Sequence, residues 1–358
     1  MNTINSGTPS HSCPHHILNK ASSVIALQLR KIFNSSFEYA TFPESWKHAE
    51  INALYKKNKA DPKDLKNFQP ISLLPFPAKV IEKAVNRQLT CFLKENCTLD
   101  PSQSGSHRNH STETALNAAT NDIRTILDKG ETADLILLDL SPAFNTICHH
   151  TLRSSLSNAG IRDRALDWVT SFLNGRTQRV CLPPFHSKAT KIICGIPQGS
   201  SLSPTLFNVY MVPLANTARS YKLNIISYAY DTQLILFFAK TNLHGRMKAI
   251  AKWMKNSCLK LNSDKTEVLI FGSTPSVWDD SWWPATLGAA LTPTDHARNL
   301  GFILNSSLSI TQQVNPISSS CFNTLHMRRK IYKWIPTETR RTVTQALASS
   351  KLDNGNAL

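Results

Sequence analysis

The sequence lacks any apolar run long enough to cross a bilayer; the run LILFFA at 234–239 is far too short. Its opening, MNTINSGTPSHS, has no charged-then-apolar succession of the signal-peptide kind. The eight cysteines (13, 91, 97, 148, 181, 194, 258 and 321) form no C-x-x-C pair, which argues against a disulfide framework and a structural zinc site. Cys13-Pro14-His15-His16 and Cys148-His149-His150 lack the spacing of a tetrahedral site and read as incidental. No internal repeat is present. What remains is a soluble, intracellular chain without a membrane partner. Acidic residues are also scarce, with 24 Asp and Glu against 40 Lys and Arg, a formal charge of +16. That balance favours a polyanionic partner, most simply nucleic acid, although a generally basic soluble protein would share it.

At 358 residues, with 41% hydrophobic and 18% charged, the chain can build two or three substructures around a real core. Residues 1–16 read as a disordered lead-in. A helical pattern covers 17–33 and breaks at FPESWK, where Pro43 and Ser45 can start a new helix. A polar basic loop occupies 54–66, and an amphipathic helix 76–93 carries Val80, Ile81, Ala84, Val85 and Leu89 on one side. Residues 113–128 read as helix. DLILLDL (134–140) is a continuous apolar run of the kind that suits a strand covered on both faces. Ser141 and Pro142 follow as N-cap and first helical position. The helix predicted over 243–261 aligns Leu243, Met247, Ile250, Met254, Cys258 and Leu261. The mixture predicts an α+β fold, a sheet with helices on one face.

Two acids stand out in this frame. Asp139 lies within the buried strand, and Asp231 sits at the tip of a hairpin in SYAYDTQLILFF (227–238). A sheet can bring two such carboxylates to one end, where a hard cation such as Mg²⁺ finds oxygen ligands. A structural, hydrogen-bonded aspartate satisfies the cost of burial equally well.

Seven stretches occur in order: NFQPISLL (67–74), DPSQSG…HST (100–112), LLDLSPAFNT (137–146), CGIPQGSSLSPTLFNVYM (194–211), SYAYDTQL (227–234), LNSDKTEVLIFG (261–272) and RNLGFIL (298–304). Together they resemble the reverse transcriptase of LINE-type, non-LTR, jockey-like retrotransposons, from about residue 15 to the C-terminus. The resemblance implies a right-hand polymerase fold of fingers, palm and thumb, with an antiparallel palm sheet backed by helices. It implies an N-terminal extension and fingers over 17–130, a palm with an insert over 131–304, and a thumb over 305–358. The upstream endonuclease is expected to be missing and the thumb to be incomplete.

The same resemblance implies roles. Asp139 and Asp231 would bind Mg²⁺, two ions in the family, with the Leu140 carbonyl assisting. Phe144 would exclude a ribose 2′-hydroxyl. Pro197, Gln198 and Gly199 would lie under the templating base and incoming nucleotide, and Lys265 near the triphosphate as a proton donor. Leu300 and Gly301 would grip the primer end. Template RNA, DNA primer and deoxynucleoside triphosphates are the implied partners. Nucleic-acid contacts are expected from Lys56, Lys57 and Lys59, from Arg176 and Arg179, and from the run HMRRKIYKW (326–334) with Arg328, Arg329, Lys330 and Lys333. For each, a solvated charged face is the plainer alternative.

Departures from the pattern converge on the chemistry. The hairpin expected as Tyr-Ala-Asp-Asp reads Tyr228-Ala229-Tyr230-Asp231. A phenol, with a reference pKa of about 10, supplies no anionic ligand near neutrality. Asn-Tyr-Arg-Pro-Ile-Ser becomes Asn67-Phe68-Gln69-Pro70-Ile71-Ser72, and Gly-Phe-Arg-Pro-Gly becomes Gly105-Ser106-His107-Arg108-Asn109. Both expected phosphate-binding arginines are gone, with Arg108 one position away as a partial substitute in nucleotide binding. Asn145 stands where an aspartate is usual. Impaired polymerisation is the leading expectation. An active enzyme with rearranged ligands, a non-catalytic nucleic-acid-binding module and a decayed remnant stay open beside it.

Overall fold

The computed structural model describes residues 20–353 apart from 56–60, 62, 106–109, 141–142, 183, 229–230, 238–242, 260–261, 263–264, 273–292 and 332–333. In chain order the elements are α1 (Ser22–Glu38), β1 (His48–Tyr55), β2 (Phe68–Leu73), α2 (Phe76–Glu95), α3 (Thr112–Leu127), β3 (Ala133–Asp139), α4 (Ala143–Thr146), α5 (His149–Asn158) and α6 (Asp163–Leu173). Then follow β4 (Thr177–Leu182), β5 (Phe185–His186), β6 (Thr190–Lys191), α7 (Ser203–Ser220), β7 (Asn224–Tyr228), β8 (Asp231–Phe237) and α8 (Leu243–Asn256). The last are β9 (Glu267–Phe271), β10 (His296–Asn299), β11 (Phe302–Asn305), α9 (Thr311–Ile331), α10 (Thr337–Thr344) and α11 (Ser350–Leu352). They fall into two interleaved units: Met1–Asp100, Ser141–Leu214 and Met254–Lys260, and then Pro101–Leu140, Ala215–Trp253 and Leu261–Leu358.

The second unit carries an antiparallel sheet in the order β7-β8-β3-β9. Its central strand is the apolar run read from the sequence, and Leu135, Ile136 and Leu138 are all but inaccessible to solvent. Leu135 and Leu137 pack with Leu116, Ala119 and Ile123 of α3 and with Phe302 and Leu304 of β11. α3 begins at a capping box, in which Ser111 and Thr114 exchange side-chain and backbone bonds. Burying so many apolar side chains on one helix face gives the sheet a rigid floor.

In the first unit, β1 pairs antiparallel with β2 and parallel with β4. Its core is aromatic: Phe42 meets Trp168 and Phe172 edge-on, with centroids 5.6 and 5.2 Å apart.

Three local expectations need correction. The first helix, Ser22–Glu38, runs on to Glu38 instead of ending at 33. After Pro43 only a single 3₁₀ turn forms, Glu44–Trp46, and strand β1 takes over because its backbone pairs on both sides. The later helix ends at Asn256, so Cys258 lies beyond it, exposed and with φ of +54°. Met247, Ile250 and Met254 are buried as expected. The Ser141-Pro142 cap lies outside the described residues.

Candidate active site

Asp139 is the last residue of β3, and across the β3–β8 ladder its register partner is Asp231, the first residue of β8. The β7–β8 hairpin closes with Tyr228 paired to Asp231. Tyr230 and the side chain of Asp231 lie outside the described residues.

The Asp139 carboxylate is 19% exposed, and the Lys265 ammonium stands 3.3 Å from its Oδ2. Lys265 is 55% exposed, so this ion pair adds under about 1 kcal/mol to stability. Backbone bonds keep the two residues together. Asn262 N–H donates to the Asp139 carbonyl at 2.9 Å, and the Asn262 carbonyl accepts from Lys265 N–H at 3.1 Å and Thr266 N–H at 3.0 Å. Leu140, the next residue, is buried.

Asp139 and Lys265 line a cleft of about 600 Å³, with Tyr228, Thr232, Arg298, Leu300 and Gly301 around it. Leu300 and Gly301 are the two loop residues of the β10–β11 hairpin, at φ of +48° and +90°. A two-residue hairpin with both φ positive matches the right-handed twist of its strands. A Cβ on Gly301 would meet nothing within 4 Å, so conformation, not close approach, calls for glycine there. Arg298 is the residue that sequence reasoning passed over. It is exposed at the cleft, and its N–H donates to Glu267 at 3.2 Å. Its place two residues before Leu300, within RNLGFIL, was the available signal.

A second group of expected residues is gathered in the first unit. The Phe144 ring packs on Phe207, centroids 5.1 Å apart, and its carbonyl accepts from Ile196 N–H at 2.7 Å. Pro197 is buried, and its carbonyl accepts from Ser200 N–H at 3.1 Å and Ser203 Oγ–H at 2.9 Å. The Gln198 carbonyl accepts from Ser72 N–H at 2.7 Å. Gly199, at φ of +121°, lies so close to β2 that an added Cβ would fall 2.6 Å from the Ser72 carbonyl oxygen. Glycine is required there on both counts. Gln69 is exposed on the same strand β2.

One expected contact is overturned. Arg176 is 1% exposed, its guanidinium lying 4.8 Å from the Phe172 ring centre and donating to the Phe172 carbonyl at 3.0 Å. Burial pushes its pKa down to about 10, with Glu82 opposing the shift. A cation enclosed by aromatic rings is a core element, and it presents nothing to nucleic acid. Arg179 is ion-paired with Glu50. Arg329 and Lys330 are exposed in the last turn of α9, whereas Arg328 donates to the Arg340 carbonyl. Lys56, Lys57, Lys59, Arg108 and Lys333 lie outside the described residues. Among the described residues, no helix is long and apolar enough to cross a membrane.

Residues 55–304 match the family model for reverse transcriptase (RNA-dependent DNA polymerase). The RNA-directed DNA polymerase from mobile element jockey of Drosophila melanogaster is 28% identical over 312 residues, 82% of this chain and 33% of that protein. The probable RNA-directed DNA polymerase from transposon BS of the same fly is 26% identical over 326 residues, 88% of this chain and 36% of that protein. The chain therefore spans about a third of the length of these curated relatives. Among solved structures, apo telomerase from Candida tropicalis, truncated from its C-terminal domain, has a TM-score of 0.52 at 13% identity, covering 85% of this chain and 62% of that one. Telomerase from Candida albicans, in complex with a TWJ fragment of telomeric RNA, has a TM-score of 0.50 at 12% identity, covering 78% and 48%. At such identities the likeness speaks for the fold, which is the right-hand polymerase fold. With its family model covering most of its length and its curated relatives encoded by jockey-like non-LTR elements, the chain belongs to the reverse transcriptase family.

Proposed function

We propose that this chain is a reverse transcriptase domain that keeps the frame for template, primer and nucleotide but is impaired in nucleotidyl transfer. The observation that carries the reading is the end of the β3–β8 ladder. Asp139 and Asp231 stand in register there, and the residue before Asp231 is Tyr230. Mg²⁺ takes hard oxygen donors in a near-octahedral array. Two aspartates in register at the end of a ladder would suit one such ion, and a neutral phenol would leave a two-ion set short of a donor. When bound, metal would neutralise charge on the triphosphate and polarise the attacking hydroxyl. Losing part of that stabilisation lowers the rate on the order of 10³-fold or more.

The chain's own residues take the remaining roles. Lys265, held beside Asp139, would meet the triphosphate and protonate the leaving pyrophosphate. Phe144 would reject a 2′-hydroxyl, and Pro197, Gln198 and Gly199 would support the base pair being formed. Leu300 and Gly301 would hold the primer end, with Arg298 near its phosphates. On this reading 17–130 supplies the N-terminal extension and fingers, 131–304 the palm and 305–358 the thumb. The charge of +16 and the exposed Arg329 and Lys330 support an RNA template and DNA primer as partners. Gln69 cannot make the charge-assisted fork of an arginine, which weakens the hold on triphosphate further.

Primer extension on an RNA template, in Mg²⁺ and separately in Mn²⁺, tests this reading. The unaltered chain and Asp139→Ala are expected to give the same negligible extension. Robust extension that disappears in Asp139→Ala would overturn it and point to a rearranged metal site.

A further inference from the structure

The 197–201 segment is held by an acid that no sequence motif marks. Glu82, midway along α2, is 0% exposed, although carboxylates are rarely buried so completely without partners. Its Oε2 accepts from Ser200 Oγ–H at 2.7 Å and from Ser201 N–H at 2.9 Å. Ser200 Oγ accepts in turn from Leu202 N–H at 3.1 Å. One carboxylate oxygen thus organises the three residues that lead into α7, where free backbone N–H groups favour a negative charge.

The bonds continue into the loop. Ser200 and Ser203 both donate to the Pro197 carbonyl, Ser72 N–H engages the Gln198 carbonyl, and Gly199 abuts Ser72. These contacts tie the peptide units at 198 and 199 to Ser200 on one side and to β2 on the other. Burial pushes the Glu82 carboxyl upward, and Ser200, Arg176 and Ser201 act against that push. Arg176, sealed in the aromatic core, provides a cation that favours the charged acid.

We infer that Glu82 is a positioning residue for the incoming nucleotide, acting through Ser200 and Ser201 to fix the 197–199 loop. The inference rests on the reading that this loop meets the nucleotide. Nucleotidyl transfer depends on alignment, so a displacement well under 1 Å at the loop would be felt as weaker productive nucleotide binding. Glu82→Gln retains the length and one acceptor but loses the charge-assisted bonds.

The test uses whichever chain extends primers, the unaltered one or Tyr230→Asp. Glu82→Gln, Ser200→Ala and the double variant are compared below their own unfolding midpoints. Expected is a rise in nucleotide KM on the order of tenfold for Glu82→Gln, less for Ser200→Ala, with template–primer affinity unchanged. The double variant should be no worse than Glu82→Gln, because both changes break the same link. Amide hydrogen exchange over 196–203 should quicken in Glu82→Gln while exchange over 133–139 holds. An unchanged KM with unchanged exchange would overturn the inference, as would additive effects or a parallel loss of template–primer binding. If neither chain extends primers, the reading of Tyr230 as the disabling residue falls. Exchange over 196–203 then decides for or against Glu82 on its own.

Discussion

The carboxylate end of the β7-β8-β3-β9 sheet and the 197–199 loop are held in different ways. At the sheet end, position is secured by the ladder and by Asn262, while the chemistry depends on which side chains stand there. At the loop, the backbone geometry is over-determined by Glu82, Ser72, Ser200, Ser203 and a glycine, and on the proposed reading that geometry is what meets the nucleotide. On the proposed reading, a single substitution, tyrosine at 230, removes a ligand while the β3–β8 ladder beside it stays paired. The loop admits no such silent change. If the proposed function holds, the comparison teaches that a polymerase frame can outlast its catalysis, because the two are specified by different residues.

The sharpest way to break this contrast is at the loop. Gly199→Ala should cost roughly 3–5 kcal/mol, since its Cβ would meet the Ser72 carbonyl and φ is +121°. Chemical denaturation measures this, and a loss below about 1 kcal/mol would show that the loop is not held as described.

A second contrast lies between two buried acids. Glu82 has partners, whereas neither carboxyl oxygen of Asp134 has a hydrogen-bond partner among the described residues. Burial raises the Asp134 pKa from 3.8 to about 7. Between those values the folded chain keeps a proton that the unfolded chain has released, so stability falls as pH rises through this window. The decline should amount to about 4 kcal/mol and level off above the folded-state pKa. Asp134→Asn should flatten that slope; urea midpoints from pH 4 to 8 would show it.

Arg176→Met should cost about 3 kcal/mol by removing the larger of the two cationic influences on buried Glu82, with Lys79 left. The salt dependence of nucleic-acid binding should not change. Arg329→Ala, at an exposed position, should do the reverse, leaving stability within about 0.5 kcal/mol and lowering the log–log salt slope by about 1. Equal salt effects from both variants would undo the reassignment of Arg176 to the core.

These expectations show what was legible in the sequence. The strand around Asp139 and the helices carrying Ile81 and Ile123 follow from apolar pattern alone, and the structure agrees. Strand β1 was missed because half of HAEINALY is polar, and its pairing is set by residues far along the chain. Glu82 and Arg176 look like surface charges by composition. Their burial follows from long-range packing that no local window reports. The ordered motifs located the Phe144, Pro197–Gly199 and Leu300–Gly301 positions, and the structure adds what braces them. Arg298 was within a quoted motif, but only the cleft shows that it faces the same space as Asp139.

The most direct measurement is primer extension by Tyr230→Asp on an RNA template in Mg²⁺, beside the unaltered chain. Restoring one carboxylate at an otherwise sound frame is predicted to raise the rate on the order of 10³-fold. It should make extension depend on Asp139. No gain over the unaltered chain, with both chains folded and binding template–primer equally, would contradict the account.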